Sequence, residues 1–282
     1  LSAGSMGLVR EILILSPLLI GLVGMWRLLK PVDALWGRII GTSLYAALPI
    51  SYNALANGRW GTLLLFATAP FVICRVIKAF GVSPYDLAGT GMAHQMVSLG
   101  FLLGVVAAFE PLILVLALLA SLAFVVTSIG AISPGAIARG FLIAFVALGV
   151  ASLMHLPWVA VLGDSETVMR YLLVRSPSEN SAELADLLRF SPGAYGNGWV
   201  TWCPMFVAVL PLLLGRGDRL RLAVMAGVVA FSGYGLSWAS HRGWLTDLLG
   251  REVLVGEGSI VLAAVGVCWC AAVGPSSIKV DG

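Results

Sequence analysis

The chain has 282 residues, is 59% hydrophobic and only 11% charged, and has a mean hydropathy of +0.98. Soluble domains carry about 25% charged residues, so a fully water-exposed surface is excluded, whereas a lipid-facing one needs no charge. The net charge of +3, with its bases dispersed along the chain, excludes a nucleic-acid-binding face.

A bilayer crossing takes roughly 20 apolar residues. Nine stretches meet that description and predict an all-α, polytopic transmembrane bundle filling 1–282 as one domain. They run near 8–29, 37–55, 61–80, 92–109, 111–131, 136–156, 200–215, 219–239 and 258–275. Pro17, Pro49, Pro70 and Pro211 fall inside these runs. Membrane helices tolerate such prolines because neighbouring groups re-satisfy the freed backbone. Gly100 and Gly104 form a GxxxG face on the fourth stretch, which predicts a close helix contact.

Two gaps are long. The first, 163–199, holds a predicted helix over 166–175, then the breaker Ser176-Pro177-Ser178. Asn180 followed by Glu183 has capping-box spacing. It opens a second helix over 181–190 with Leu184, Leu187 and Leu188 on one side. Short amphipathic helices beside a membrane lie flat in its interface. The gap 240–257, with Trp244, Leu245, Leu248 and Leu249, predicts a third.

The charges are sorted. Alternate gaps and the C-terminal tail carry Arg27, Lys30, Arg38, Arg75, Lys78, Arg139, Arg216, Arg219, Arg221 and Lys279. Only Asp33, Asp86, Asp218 and Asp281 stand against these ten bases, whereas the other side carries seven bases and ten acids. The positive-inside rule then places the first gap and the C-terminus in the cytoplasm and the N-terminus outside. Residues 1–7 lack the basic n-region of a signal peptide. An external N-terminus then leads us to expect a further upstream segment, or partner subunits.

Cys74, Cys203, Cys268 and Cys270 form no CxxC pair, and His is sparse, so no metal site is expected. All four cysteines read as small buried hydrophobes. No cofactor is required by the pattern; a divalent cation is left open.

The outer gaps concentrate the chemistry. Asn53, Asn57, Gly58, Arg59 and Trp60 form a tight turn. Glu110 precedes Pro111 between two apolar runs. His155, Pro157 and Trp158 end the sixth stretch. Arg189, Tyr195 and Trp199 follow the flat helices, and His241, Arg242 and Trp244 begin the last outer gap. Brought together they would form a cationic, aromatic-lined pocket suited to a lipid-linked phosphate. The plainer alternative stands beside it: interfacial aromatics are anchors, Arg59 bonds its own turn or lipid phosphate, and His155 is a helix-end residue. Glu110 either reaches water or points into the pocket, since facing lipid is costly. No span carries a charge near its centre, which argues against an ion pump.

The run Tyr45-Ala46-Ala47-Leu48-Pro49, then Tyr52-Asn53-Ala54-Leu55-Ala56-Asn57-Gly58-Arg59-Trp60-Gly61-Thr62, resembles large polytopic membrane proteins of actinobacteria associated with glycosyltransferase activity. His155-Leu156-Pro157-Trp158 and Arg189-Phe190-Ser191-Pro192-Gly193 extend the likeness. More distantly the pattern is similar to the transmembrane module of GT-C glycosyltransferases, including arabinofuranosyltransferases of the cell envelope. The resemblance implies a polyprenyl-phosphate-linked sugar donor and transfer on the outer face of a bacterial plasma membrane. It also implies a catalytic acid in the first outer loop, but 1–7 holds no Asp or Glu. On this reading the acid lies upstream or is Glu110, with Asp164 or Glu166 as substitutes. Asn57, Arg59, His155, Trp158 and Arg242 are the substrate-binding candidates. Two other functions compete: a non-catalytic membrane subunit that assembles a larger complex, and a lipid-linked glycan transporter, though the halves show no repeat. The enzyme reading predicts that Glu110, Arg59 and His155 converge in one cavity.

Overall fold

The computed structural model describes residues 6–32, 35–85, 91–129, 133–162, 184–191, 193, 195–196, 198–249 and 258–277. Among these, all regular structure is helical. The helices are α1 (Met6–Leu28), α2 (Leu35–Ala47), α3 (Pro49–Ala56), α4 (Trp60–Ala79), α5 (Met92–Ala107) and α6 (Leu112–Ser128). They continue as α7 (Pro134–Leu162), α8 (Leu184–Leu188), α9 (Cys203–Leu214, entered through a 3-10 turn, Trp199–Trp202), α10 (Asp218–His241), α11 (Trp244–Leu249) and α12 (Gly258–Ser277). Four segments are long and apolar enough to cross a bilayer: Leu35–Ala56, Trp60–Ala79, Pro134–Pro157 and Asp218–His241. The other predicted stretches are shorter apolar helices.

The second stretch breaks where its proline stands. Leu48 is extended, with φ −65° and ψ 132°, and Pro49 opens α3. The residue before a proline is pushed out of the helical region, so the break is local and α3 resumes at once. The sixth stretch does the opposite. Expected to end at 156, the helix runs through Pro157 to Leu162, since a membrane bundle tolerates the missing hydrogen bond.

The bundle is built around α12, which is apolar on all sides and buried at every position from 258 to 274. It packs against α10, α9, α2, α4 and α6, while α1 lies on α4 and α5 on α7. In lipid there is no hydrophobic drive between helices, so small residues that let backbones approach decide the contacts. Gly37 and Gly41, one turn apart on α2, face the Ala272 and Cys268 carbonyls of α12. Gly266 of α12 faces the backbone of Ala226 and Ala230 on α10, and Gly233 of α10 faces Ser259 and Ala263. The expected GxxxG contact is present: Gly100 and Gly104 of α5 receive Val150 and Met154 of α7.

The two poles of the bundle differ. At one, Arg27, Lys30, Arg38, Arg75, Lys78, Arg139, Arg216, Arg219 and Arg221 gather at helix ends and turns. Arg38 ties the α1–α2 turn, donating to the Val32 carbonyl at 3.2 Å and to the Lys30 carbonyl. Tyr85 closes the core here, its hydroxyl donating to the Leu28 carbonyl at 2.8 Å and its ring edge-on to Trp269. Lys279, Asp33, Asp86 and Asp281 lie outside the described residues. At the far pole stand the α3–α4 and α5–α6 turns, the C-terminal ends of α7 and α10, and the start of α12.

Two expectations change. Cys203 is exposed at the start of α9, while Cys74, Cys268 and Cys270 are buried. The helix read over 181–190 is described only as α8. It docks on the protein: Leu187 and Phe190 are buried, Phe190 packs on Tyr234 of α10 with centroids 5.5 Å apart, and Leu184 is exposed. The third short helix exists as α11, with Leu245 against the core and Trp244 exposed. The helix expected at 166–175, and with it Asp164 and Glu166, lies outside the described residues.

Candidate functional site

The far pole is organised by Asn53. Its side chain is buried in α3 and holds Tyr195 by both backbone groups: the amide donates to the Tyr195 carbonyl, and the Tyr195 N–H donates to Oδ1, each at 2.9 Å. Gly193 and Gly196 permit this approach. A Cβ at Gly193 would meet Asn53 Oδ1 at 2.6 Å, and Gly196, at φ +93°, lies against Pro49. Thr201 fastens the following turn by donating to the Gly196 carbonyl at 2.8 Å. Arg189 sits 4.9 Å over the Trp202 ring. Gly193, Tyr195 and Gly196 thus lie against α3.

Around this frame lie the sequence candidates. Glu110 is 0% exposed, in the turn between α5 and α6, with its N–H bonded to the Val106 carbonyl at 2.9 Å. Gly258 receives both Leu112, two residues beyond Glu110, and Leu65 of α4. The Glu110 turn and the first turns of α4 therefore surround the start of α12. Arg59 is half-buried at the N-terminus of α4, its N–H bonded to the Ala54 carbonyl at 2.8 Å. Asn57 is exposed at the end of α3.

The remaining candidates share the pole, but their described contacts are local. His155 Nδ1 lies 2.8 Å from the Ala151 carbonyl of its own helix. Arg242 is exposed and stacks 4.4 Å over Trp238, one turn back on α10. Trp158 lies on α7, but its side chain is outside the described residues. Glu110, Arg59, His155 and Arg242 are thus brought to one end of the bundle. Among the described residues no group of three or more His, Cys, Asp or Glu side chains is placed to hold a metal ion.

The structure also contains a site that sequence reasoning did not single out. A cavity of about 440 Å³ opens at the basic pole. Arg27 and Lys30 come from the end of α1, Arg75 and Lys78 from the last turns of α4, and His94 and Ser98 from the first turns of α5. Phe71, Cys74 and Gln95 complete the lining. The signal was present in the chain: Arg27-x-x-Lys30 and Arg75-x-x-Lys78 repeat one spacing at two apolar helix ends. Residues three apart share a helix face. Reading these bases only as topology markers hid the fact that they meet.

Compared with family models, curated proteins and solved structures, the chain matches none.

Proposed function

We propose that this chain is an integral membrane module that crosses the bilayer nine times, with its basic pole in the cytoplasm. Its far pole, on the outer face of a bacterial plasma membrane, acts in transfer of a sugar from a polyprenyl-phosphate donor to a cell-envelope glycan. The sorting of charge to one pole supports the orientation. The observation that carries the activity is the complete burial of Glu110 at the opposite pole. An ionisable group enclosed within a membrane bundle is expensive and marks function. On this reading Glu110 takes the proton from the acceptor hydroxyl while the sugar leaves its phosphate, and Arg59 meets the developing phosphate charge. On the same reading His155, Arg242, Asn57 and Trp158 are the further substrate-binding candidates.

The test is sugar transfer from a labelled polyprenyl-phosphate donor in membranes carrying wild-type protein or Glu110→Gln. The variant should lose on the order of 100-fold in rate while eluting as the wild type does. Full transfer by Glu110→Gln excludes it as the base.

A second reading has its own support. The described contacts of His155 and Arg242 are with their own helices, as expected of a non-catalytic subunit that assembles a larger complex. In that case the purified chain transfers no sugar, and activity returns only when a partner subunit is added.

A further inference from the structure

We infer that the cavity at the basic pole is a binding site for a phosphate ester, with the headgroup of an anionic phospholipid as the ligand its walls favour. This site is separate from the far pole and stands whether or not that pole transfers sugar.

The charge balance is the first argument. Four basic side chains, Arg27, Lys30, Arg75 and Lys78, line one space of about 440 Å³. No Asp or Glu is among the described lining residues, and among the described residues no carboxylate pairs with these four bases. Like charges held this close repel, and a bound anion relieves them. Spread singly over a surface, the same bases would be solvated and need no partner. Here two helix ends hold them around a concavity of the size that takes small ligands.

Two of the cations, Arg27 and Arg75, are also held in place. The Arg27 guanidinium lies over the Phe71 ring, 5.9 Å from its centroid. Arg75 donates through Nη1 to Ser98 Oγ, which in turn donates to the Gln95 carbonyl at 3.5 Å. A guanidinium fixed through one nitrogen presents the rest of its planar fork, the geometry that matches phosphate oxygens. His94 adds a ring nitrogen from α5.

The walls below the cup decide between a free anion and a lipid. One turn deeper, α1 exposes Val23 and α5 exposes Phe101, beside Trp26 and Val97. α4 floors the groove between them through Phe71. A cationic cup with exposed apolar side chains one turn deeper on the helices beside it fits a phosphate that carries acyl chains. Basic pockets between membrane helices on the cytoplasmic side take such headgroups.

The test uses the whole chain in nanodiscs of phosphatidylcholine with a minor fraction of phosphatidylglycerol, followed by delipidation and native mass spectrometry. Wild type should retain phosphatidylglycerol over phosphatidylcholine by about tenfold or more. Arg27→Gln/Arg75→Gln should abolish that preference, and Arg216→Gln/Arg219→Gln, elsewhere on the same pole, should keep it. Inorganic phosphate, titrated into protein in zwitterionic micelles, separates the sources. Weak binding that phosphatidylglycerol displaces supports the lipid; phosphate binding as tight as the lipid's supports a soluble phosphate ester. Should the double variant misfold, acetylation of Lys30 and Lys78 gives a readout without substitution. Phosphatidylglycerol, but not phosphatidylcholine, should slow it. Equal retention of the two lipids with no phosphate binding overturns the site. Equal loss in the Arg216/Arg219 control also overturns it, by reducing the effect to general attraction between a basic face and an anionic leaflet.

Discussion

The Tyr45 hydroxyl donates a 2.7 Å hydrogen bond to the Phe66 carbonyl, the acceptor that Pro70 leaves without its helical N–H. The proline has no N–H to give back four residues, and in a bilayer no water stands in. A residue on α2 thereby closes the gap opened on α4. The two rings also stack, with centroids 4.1 Å apart and planes at 6°. Tyr45→Phe keeps the stack and removes the donor, and should cost about 1 kcal/mol. Pro70→Ala restores the helix's own N–H, so in that background Tyr45→Phe should cost much less. Equilibrium unfolding in mixed micelles measures the cycle; additive costs would show that the two groups do not share the carbonyl.

That pair shows what the chain does and does not display about its fold. Pro70 is visible as an interruption, but the hydroxyl that remedies it stands 21 residues before the Phe66 carbonyl it satisfies and depends on which helix packs beside it. Helix positions were readable because apolar runs must be long to span lipid. The GxxxG contact of Gly100 and Gly104 was readable too, yet Gly37 and Gly41 have the same spacing and meet the central helix. Spacing shows that a face is small, not which neighbour uses it. Likewise Leu187 announced an apolar face, and only the fold shows it docked rather than laid on lipid. Cys203 differs from the other cysteines because it begins a helix at the exposed end rather than sitting inside one. Of the far-pole candidates, common location followed from the alternation of helix directions. Their individual contacts did not, since stacking of Arg242 on Trp238 is a rotamer choice.

Gly266 should be among the least replaceable glycines in the core. A Cβ there would lie 2.5 Å from the Ala230 nitrogen and 2.6 Å from the Ala226 oxygen. Both are backbone atoms of α10, so relief requires moving a helix rather than a side chain. Gly266→Val should cost about 3 kcal/mol and lower the yield of monodisperse protein. Gly149→Ala, with nothing within 4 Å of its Cβ, should behave as wild type. Size-exclusion profiles and thermal midpoints of the two variants make the comparison.

The orientation has a direct chemical readout in Cys203. It is exposed at the far-pole end of α9, whereas Cys74, Cys268 and Cys270 are buried. A membrane-impermeant maleimide added to intact cells should therefore modify the wild-type chain at Cys203 alone. Arg216→Cys, at the other end of α9 in the Cys203→Ser background, should react only after the membrane is opened. Labelling of the position-216 thiol in intact cells would invert the assignment of the poles and move the Glu110 end to the cytoplasm.

Asn53 should control how the far pole is closed. Its side chain makes both hydrogen bonds to Tyr195 at 2.9 Å, and it is buried, so neither group can turn to water instead. Asn53→Leu keeps the branched shape but leaves the Tyr195 N–H and carbonyl without these partners, a local cost of about 1–3 kcal/mol. α3 is held separately by its packing on α4, so the fold should survive. The segment from Gly193 to Thr201 should then open more often, and the Tyr195 amide should exchange about tenfold faster or more, following the ratio of about 1.4 kcal/mol per factor of ten. Hydrogen exchange on protein in micelles reads this directly, with the α12 amides as the internal reference. If Tyr195 exchanges at the wild-type rate, the strap is held by other contacts, those of Thr201 with Gly196 first among them. If α12 accelerates as well, Asn53 supports the whole bundle rather than its outer closure. Confined to the strap, the change would make Asn53→Leu the means of asking whether that closure governs access to Glu110.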